Sequence, residues 1–267
     1  IALGPSAEKL VLGRGVAEAL ALLPRVFNLC RAAQGVGLRL ALGLPVPAGD
    51  HAALRAEIRR DHALYLGAIL PRALGIAPLS PQRLLGPDLP ALDRPADLDR
   101  ILTDFCPIGQ VFCGIRDRFP DGAAATGLLP WPDPANALTL IPLENTVAAR
   151  HACHPVLDHV AARHGRGPLW RVLARFVDLS SSRLPEPVSP RQGVALVPAT
   201  RGLYAIEADA ADGRLTRFAR VTPTDHLTAP GGVLAQSLAT CPAGAEDLLL
   251  AVLDPCLPVT LREAADA

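Results

Sequence analysis

The feature that most constrains the fold is a change in hydrophobic period about two thirds of the way along the chain. Before residue 180, apolar residues recur every three to four positions, which is typical of amphipathic helices. After residue 193 they alternate with polar residues or form short β-branched runs, which is typical of strands. The proline-rich segment 180–193 (SSSRLPEPVSPRQG) separates the two patterns and predicts an exposed connection. The sequence therefore predicts a mainly helical α+β protein.

Helical periodicity is clearest in a series of segments separated by proline-rich stretches. The predicted helices cover residues 16–23, 50–69, 95–105, 144–152, 155–164 and 169–179. In the second of them, Asp50 is suited to the N-cap, and the residues sharing one face are Leu54, Ile58, His62, Tyr65 and Ile69. The stretches 76–95 and 127–134 contain too many prolines to continue regular structure, so they predict loops.

The last third of the chain predicts strands at 193–197, 203–208 and 215–221. Asp212 and Gly213 form a turn signal between the second and third of these, which indicates a β-hairpin. A final helix at 245–253 should stop at Asp254, because the residue before Pro255 is pushed out of the helical region. We expect one domain over 1–267, with a helical part to about 180, the connection 180–193, and the hairpin and carboxy-terminal segment over 193–267.

Composition excludes several classes of partner and location. The 26 basic and 26 acidic side chains cancel, which argues against binding to nucleic acid or an anionic membrane surface. Half the residues are hydrophobic, so the chain is expected to fold. Its apolar runs are shorter than the roughly 18 residues that cross a bilayer, so membrane insertion is not expected. The six cysteines include no CxxC pair, which predicts reduced thiols in a cytoplasm rather than a disulfide framework.

Motifs of the common enzyme classes are missing from the sequence. GxGxxG, GxxxxGK[ST], GxSxG and HExxH do not occur, so dinucleotide, P-loop, serine-hydrolase and zincin readings have no support. Two short segments near opposite ends stand out instead, 25–34 (RVFNLCRAAQ) and 254–262 (DPCLPVTLR). Each places one cysteine, Cys30 or Cys256, beside a break in regular structure.

These two segments resemble the cysteine motifs of nickel-iron hydrogenase large subunits, RxCGxCxxxH and DPCxxCxxH. The segments between them also resemble that family in order: its histidine-rich helix, its PRG segment and its PTxWNxxP stretch match residues 62–70, 200–202 and 221–230. The resemblance implies a large-subunit-like fold in which the segments of Arg25 and Asp254 meet at the core.

The departures from the large-subunit motifs concern the metal ligands. Phe27 and Val259 stand where the family has its other two cysteines, and Gln34 and Arg262 replace the motif histidines. Pro71 occupies roughly the place of a helix aspartate near the metal. In the resembled enzymes four soft thiolates hold nickel and iron. Two thiolates cannot supply that site, so neither a complete nickel site nor hydrogen turnover is expected.

A large-subunit-like chain with half its ligands resembles hydrogenase accessory proteins of the HupK/HoxV type. That resemblance implies a non-catalytic assembly scaffold that transiently holds the Fe(CN)2(CO) group for the large subunit. Cys30 and Cys256 would bind the iron, and Arg201 would donate hydrogen bonds to cyanide. Arg25 and Asp254 belong to the same motifs and are further candidates for contact with the group. The implied partners are maturation chaperones and the hydrogenase large subunit.

One cluster of possible ligands lies outside these motifs. His151, Cys153 and His154, followed by His159 and His164, have residue types that suit zinc. Pro155 separates the first three from the helix bearing the other two, and no second cluster accompanies them. The group is therefore read either as a metal site or, more simply, as the polar start of a helix.

Other candidate residues have simpler interpretations. Cys106, Cys113 and Cys241 lack any motif around them, and Cys106 and Cys113 are expected to pack in the core. His62 is expected to be a core-edge histidine with a hydrogen-bond partner. Two functional alternatives remain beside the scaffold: a divergent hydrogenase that uses fewer thiolates, and a metal-free structural or regulatory subunit.

Overall fold

The structure is a computed structural model that describes residues 7–26, 29–87, 89–103, 106–181, 184–257 and 259–261. The described elements up to residue 180 are helices, followed by strands and then three more helices, so the predicted α+β class is confirmed. The first eleven α-helices are α1 Ala7–Val11, α2 Val16–Val26, α3 Arg31–Ala41, α4 Ala48–Leu64, α5 Leu70–Leu74, α6 Pro81–Leu84, α7 Pro95–Thr103, α8 Pro107–Arg118, α9 Val147–Arg150, α10 Pro155–His164 and α11 Pro168–Ser180. A π-helical turn, Tyr65–Ile69, joins α4 to α5.

The described strands form one antiparallel sheet in the order of the sequence. They are β1 Val188–Arg191, β2 Val194–Ala199, β3 Gly202–Ala211 and β4 Arg214–Val221. The helices that follow are α12 Pro223–Leu227, α13 Val233–Ala239 and α14 Glu246–Leu253. The predicted turn at Asp212 and Gly213 joins β3 to β4, and both residues have the positive φ that such a turn requires.

The predicted exposed connection 180–193 is wrong in one respect, because it contains strand β1. This strand is exposed along its whole length and pairs only with β2 within the described sheet. Its Pro190 lacks an N–H donor and is accommodated because β1 lies at the sheet edge, where a shift of register also occurs. The sheet therefore has four strands, one more than the sequence predicted.

The predicted face of the helix 50–69 is correct up to Tyr65 and wrong at Ile69. Ile69 is exposed, whereas Leu66 and Leu70 are fully buried. The reason is the π-helical turn, which adds a residue to one turn and rotates the following residues. Pro71 cannot donate to the carbonyl of Gly67, which instead accepts from the amide of Leu79 at 2.7 Å.

Other boundaries also differ from the sequence predictions: α4 begins at Ala48 with Pro47, not Asp50, as its N-cap, and α2 continues to Val26. The helix predicted over 144–152 is only the short α9, because Glu144 turns inward to pair with Arg171. The helix predicted over 95–105 is α7, described over Pro95–Thr103; Asp104 and Phe105 lie outside the described residues. Helix α3 was not predicted at all, since its glycines weaken the helical pattern. A Cβ on Gly37 would approach a side-chain atom of Ile206 to 2.6 Å, so glycine lets α3 pack closely on the sheet.

The core has two main parts on either side of helix α4. One is helical and surrounds α11, every residue of which is buried from Pro168 to Leu179. The other lies between the sheet and helices α2, α3 and α4. Cys106 packs against the helical core, as the sequence indicated, and Cys241 does so as well. Among the described residues, no helix combines the length and apolar character needed to cross a membrane.

Candidate functional site

The two cysteine segments both lie at helix ends with unusual backbone geometry. Cys30 is the N-cap of α3 with φ 56°, and Asp254 is the C-cap of α14 with φ 47°. Both are in the left-handed region, which few residues other than glycine adopt without cost. Cys256 follows Asp254 by two positions. Such strained positions persist only where their surroundings hold them, and they often mark functional sites.

The thiols of Cys30 and Cys256 are both within electrostatic range of the Arg201 guanidinium. Cys30 is buried, and this burial raises the pKa of its thiol to about 12. The guanidinium of Arg201 lowers this pKa, whereas negative charges on Glu57 and Cys256 raise it further. Because a charge on Cys256 affects Cys30, the two sulfurs lie within electrostatic reach of each other. With its pKa raised in this way, Cys30 is a neutral thiol at neutral pH.

Helix α12 fixes the position of Cys256. The hydroxyl of Thr224 donates to the sulfur at 2.9 Å and accepts from the Cys256 backbone N–H at 2.9 Å. The helix itself begins with a capping box in which Thr222 and Asp225 satisfy each other's backbone N–H groups. The stretch resembling PTxWNxxP therefore supports the carboxy-terminal cysteine.

Arg201 lies between the two cysteine segments. Its Nε donates to the carbonyl of Asp254 at 2.7 Å, and its Nη2 donates to the Asp254 carboxylate at 3.1 Å. Its Nη1 is buried and has no hydrogen-bond partner within the described part of the chain. Cys30 and Cys256 both raise the pKa of Arg201, so this spare donor belongs to a guanidinium within electrostatic range of both cysteines. A buried donor without a partner is costly and suits a ligand that supplies the acceptor.

A second arginine holds the other oxygen of Asp254. Nη1 of Arg175 lies 2.9 Å from the carboxylate in an ion pair, although it is not aligned as a hydrogen bond. The guanidinium of Arg175 also stacks on the ring of Tyr65, with 4.0 Å to the ring centroid. The Tyr65 hydroxyl donates to the carbonyl of Val252 near the end of α14. These contacts fix the carboxylate that orients Arg201.

Next to this site is a buried polar cluster that we call the Asp178 cluster, made of His62, Arg150, His151 and Asp178. The Asp178 carboxylate is fully buried and accepts from His62 Nε2 at 2.8 Å, Arg150 Nη1 at 2.7 Å and His151 Nε2 at 2.5 Å. Burial alone raises the pKa of this carboxyl, but Arg150 and the two histidines outweigh it and hold the pKa well below its usual range. Burial lowers the pKa of His62, which is neutral with its proton on Nε2. The expected hydrogen-bond partner of His62 is thus Asp178, although this histidine is fully buried rather than at the core edge.

Sequence reasoning missed Asp178, Arg150 and Arg175. Helix α11 is otherwise apolar, yet it carries charged residues at positions 171, 175 and 178, which share one helix face. Charged residues that interrupt a buried helix at this spacing need internal partners. That spacing is the signal that could have identified Arg175 and Asp178.

The other motif residues differ in their burial and in their contacts. Arg25 is exposed in the last turn of α2 and makes no hydrogen bond or ion pair with the described residues. Gln34 is buried one turn after Cys30, and its Oε1 accepts no hydrogen bond from the described residues. Pro71 is buried in α5, and Val259 is partly buried. Phe27 and Arg262 lie outside the described residues.

The histidine cluster after α9 does not form a metal site in the described structure. His151 belongs to the Asp178 cluster, and His164 pairs with Asp121. Cys153 is exposed, and His154 is the N-cap of α10. Throughout the described ranges, no three His, Cys, Asp or Glu side chains converge as metal ligands. The simpler interpretation, a polar helix start, fits this placement.

Comparison with known proteins assigns the chain to a class. It is 43% identical over 270 residues to the hydrogenase expression/formation protein HupK of Rhodobacter capsulatus, a match that covers 97% of this chain and 90% of that protein. No family model matches the chain. This identity and coverage place the chain among the accessory proteins for hydrogenase expression and formation. Within this class, the chain belongs to the HupK family, which confirms the resemblance to accessory proteins of the HupK/HoxV type, whereas the large-subunit-like fold stays a prediction.

Proposed function

We propose that the chain transiently holds an iron atom carrying two cyanides and one carbon monoxide as cargo during formation of a nickel-iron hydrogenase. The observation that carries the proposal is the unpartnered Nη1 of Arg201 beside two thiols. Cyanide nitrogen is an acceptor that a buried guanidinium N–H can reach, and soft thiolates suit iron with diatomic ligands. Cys30 and Cys256 are the sulfur ligands in this proposal.

The residues around the thiols have distinct tasks in holding the cargo. Cys30 gives up its proton when iron binds, because only the thiolate is a metal ligand. Cys256 is held in place by the hydroxyl of Thr224. Asp254 aligns Arg201 through two hydrogen bonds, which leaves Nη1 for the cargo.

The chain acts as a non-catalytic scaffold in this proposal. Its site offers two thiols, where a nickel-iron centre needs four. We place it as a single large-subunit-like domain in the cytoplasm, where it receives the iron group from maturation chaperones and passes it to the hydrogenase large subunit. The relative HupK is named as a hydrogenase expression/formation protein, which supports a role at this stage.

Infrared spectroscopy of the anaerobically purified protein tests the proposal. The chain should be produced together with the hydrogenase maturation machinery, and its iron content should be measured in parallel. We expect cyanide and carbonyl stretching bands in the wild type and their loss in Cys30→Ser and Cys256→Ser. Cys153→Ser is the matched control, since Cys153 is an exposed thiol outside the site, and it should keep the bands.

The same preparations distinguish the alternatives. A wild type without these bands, or a double serine variant that keeps them, would show that the thiols hold no such cargo and would favour a metal-free structural subunit. Stoichiometric nickel together with hydrogen-dependent dye reduction would identify a divergent hydrogenase instead.

A further inference from the structure

The turn that carries Arg201 joins β2 to β3, and one side chain holds both of its ends. Nη2 of Arg150 donates to the carbonyl of Ala199 at 2.6 Å and to the carbonyl of Gly202 at 3.0 Å. These two residues flank the pair Thr200 and Arg201. A single guanidinium therefore holds both ends of the turn from which the Arg201 side chain extends. We call this contact the Arg150 clamp.

Arg150 is itself fixed by the Asp178 cluster. Its Nη1 donates to Asp178 at 2.7 Å, and its side chain is only 6% exposed. Asp178 also binds His62 of α4 and His151, which follows α9. The clamp thus connects the Arg201 turn to α4, α9 and α11, which are all part of the buried interior.

Each of the other contacts to this turn holds only one part of it. The Thr200 hydroxyl donates to Asp61 at 3.3 Å, a longer contact. Asn145 bonds the backbone N–H and carbonyl of Leu203, just past the turn. Gly202 has φ 151°, and a Cβ there would lie 2.5 Å from Asn145 atoms, so the turn has little freedom on that side. Of these contacts, that of Arg150 joins the two ends of the turn, at Ala199 and Gly202.

We propose that Arg150 is a positioning residue that holds the Arg201 turn in the place from which Asp254 can align the Arg201 guanidinium toward the cargo. This inference rests on the proposed function, because both have Arg201 donating a hydrogen bond to a cyanide of the cargo. An ammonium cannot replace the clamp, since a lysine lacks the planar fork that reaches one carboxylate and two carbonyls at once. Loosening the turn moves Nη1 of Arg201 without removing either thiol.

Arg150→Lys tests the inference with two measurements. In the iron-loaded protein we expect shifted or broadened cyanide bands at unchanged iron content, because the sulfur ligands remain. In the metal-free protein we expect amide hydrogen exchange in segment 199–204 to rise roughly tenfold or more, which corresponds to about 1.4 kcal/mol. Arg171→Lys is the matched control, since Arg171 is an equally buried arginine paired with Glu144 and does not contact the turn.

The outcomes separate this inference from the proposed function. Faster exchange together with shifted cyanide bands, both beyond those of Arg171→Lys, support it. Unchanged exchange, or faster exchange with unshifted bands, overturns it even if the wild type carries the iron group. A wild type without cyanide bands removes the proposed function and the inference with it. If Arg150→Lys does not fold, Arg150→Gln, which retains an NH₂ donor group without charge, is measured in the same way.

Discussion

Replacing Asp178 with asparagine should destabilise the protein through the Asp178 cluster. The carboxylate is fully buried and accepts three hydrogen bonds, one each from His62, Arg150 and His151. Asparagine keeps the shape but has one acceptor oxygen, and its NH₂ group would face a donor. The charge of Arg150, which is 6% exposed, would then lack its counter-charge.

The size of the effect follows from this geometry. Removing one partner of a buried ion pair costs about 3–5 kcal/mol, because the other charge stays buried and uncompensated. Since asparagine leaves no cavity, we expect Asp178→Asn to lower the free energy of unfolding by about 3 kcal/mol. Urea unfolding followed by circular dichroism measures this, with the m-value as a check on the unfolded state.

The control for this prediction is an exposed aspartate. Asp117 is 64% exposed and pairs with neighbouring Arg116, so Asp117→Asn should change the free energy of unfolding by less than about 0.5 kcal/mol. If Asp178→Asn lowered the free energy of unfolding by less than about 1 kcal/mol, Asp178 could not be a buried carboxylate that accepts three hydrogen bonds.

Three further changes have defined outcomes. Gly202→Ala should cost about 2 kcal/mol or more in urea unfolding, because its Cβ would lie 2.5 Å from Asn145; an unchanged midpoint would contradict this. His62 has a lowered pKa in the fold, so its contribution to stability is complete above about pH 6.5 and is lost as the pH falls below it. His62→Gln should therefore flatten the stability profile between about pH 7 and 5. Thr224→Val removes the donor to Cys256 and should speed iron release roughly tenfold in a chelator assay, whereas an unchanged rate would rule out that role.

Much of the architecture could be predicted from local signals in the sequence. Helix α10 begins at Pro155 and α11 ends close to its predicted limit, because apolar period and N-terminal prolines are local properties. The π-helical turn could not be predicted, since it depends on Pro71 and on the amide of Leu79, which comes from a later loop. Strand β1 was missed because an exposed edge strand has no buried face to produce alternation.

The site was predicted only where short motifs mark it. The resemblance selected Cys30, Cys256, Arg201 and Asp254; in the structure Arg201 hydrogen-bonds Asp254, and both cysteines influence the pKa of Arg201, while their joint role as ligands stays a prediction. Arg25 came from the same motif but lies exposed, so motif membership alone did not predict its position. The Asp178 cluster joins side chains from positions 62, 150, 151 and 178, and no local pattern links residues so far apart in sequence.

The central claim, that both cysteines bind one iron, is tested most directly by iron K-edge X-ray absorption of the anaerobically loaded protein. The wild type should show two sulfur neighbours per iron in addition to the carbon atoms of the diatomic ligands. Cys30→Ser and Cys256→Ser should each reduce the sulfur number to one in any iron that remains. An iron site with no sulfur neighbours, or one with four, would contradict the account.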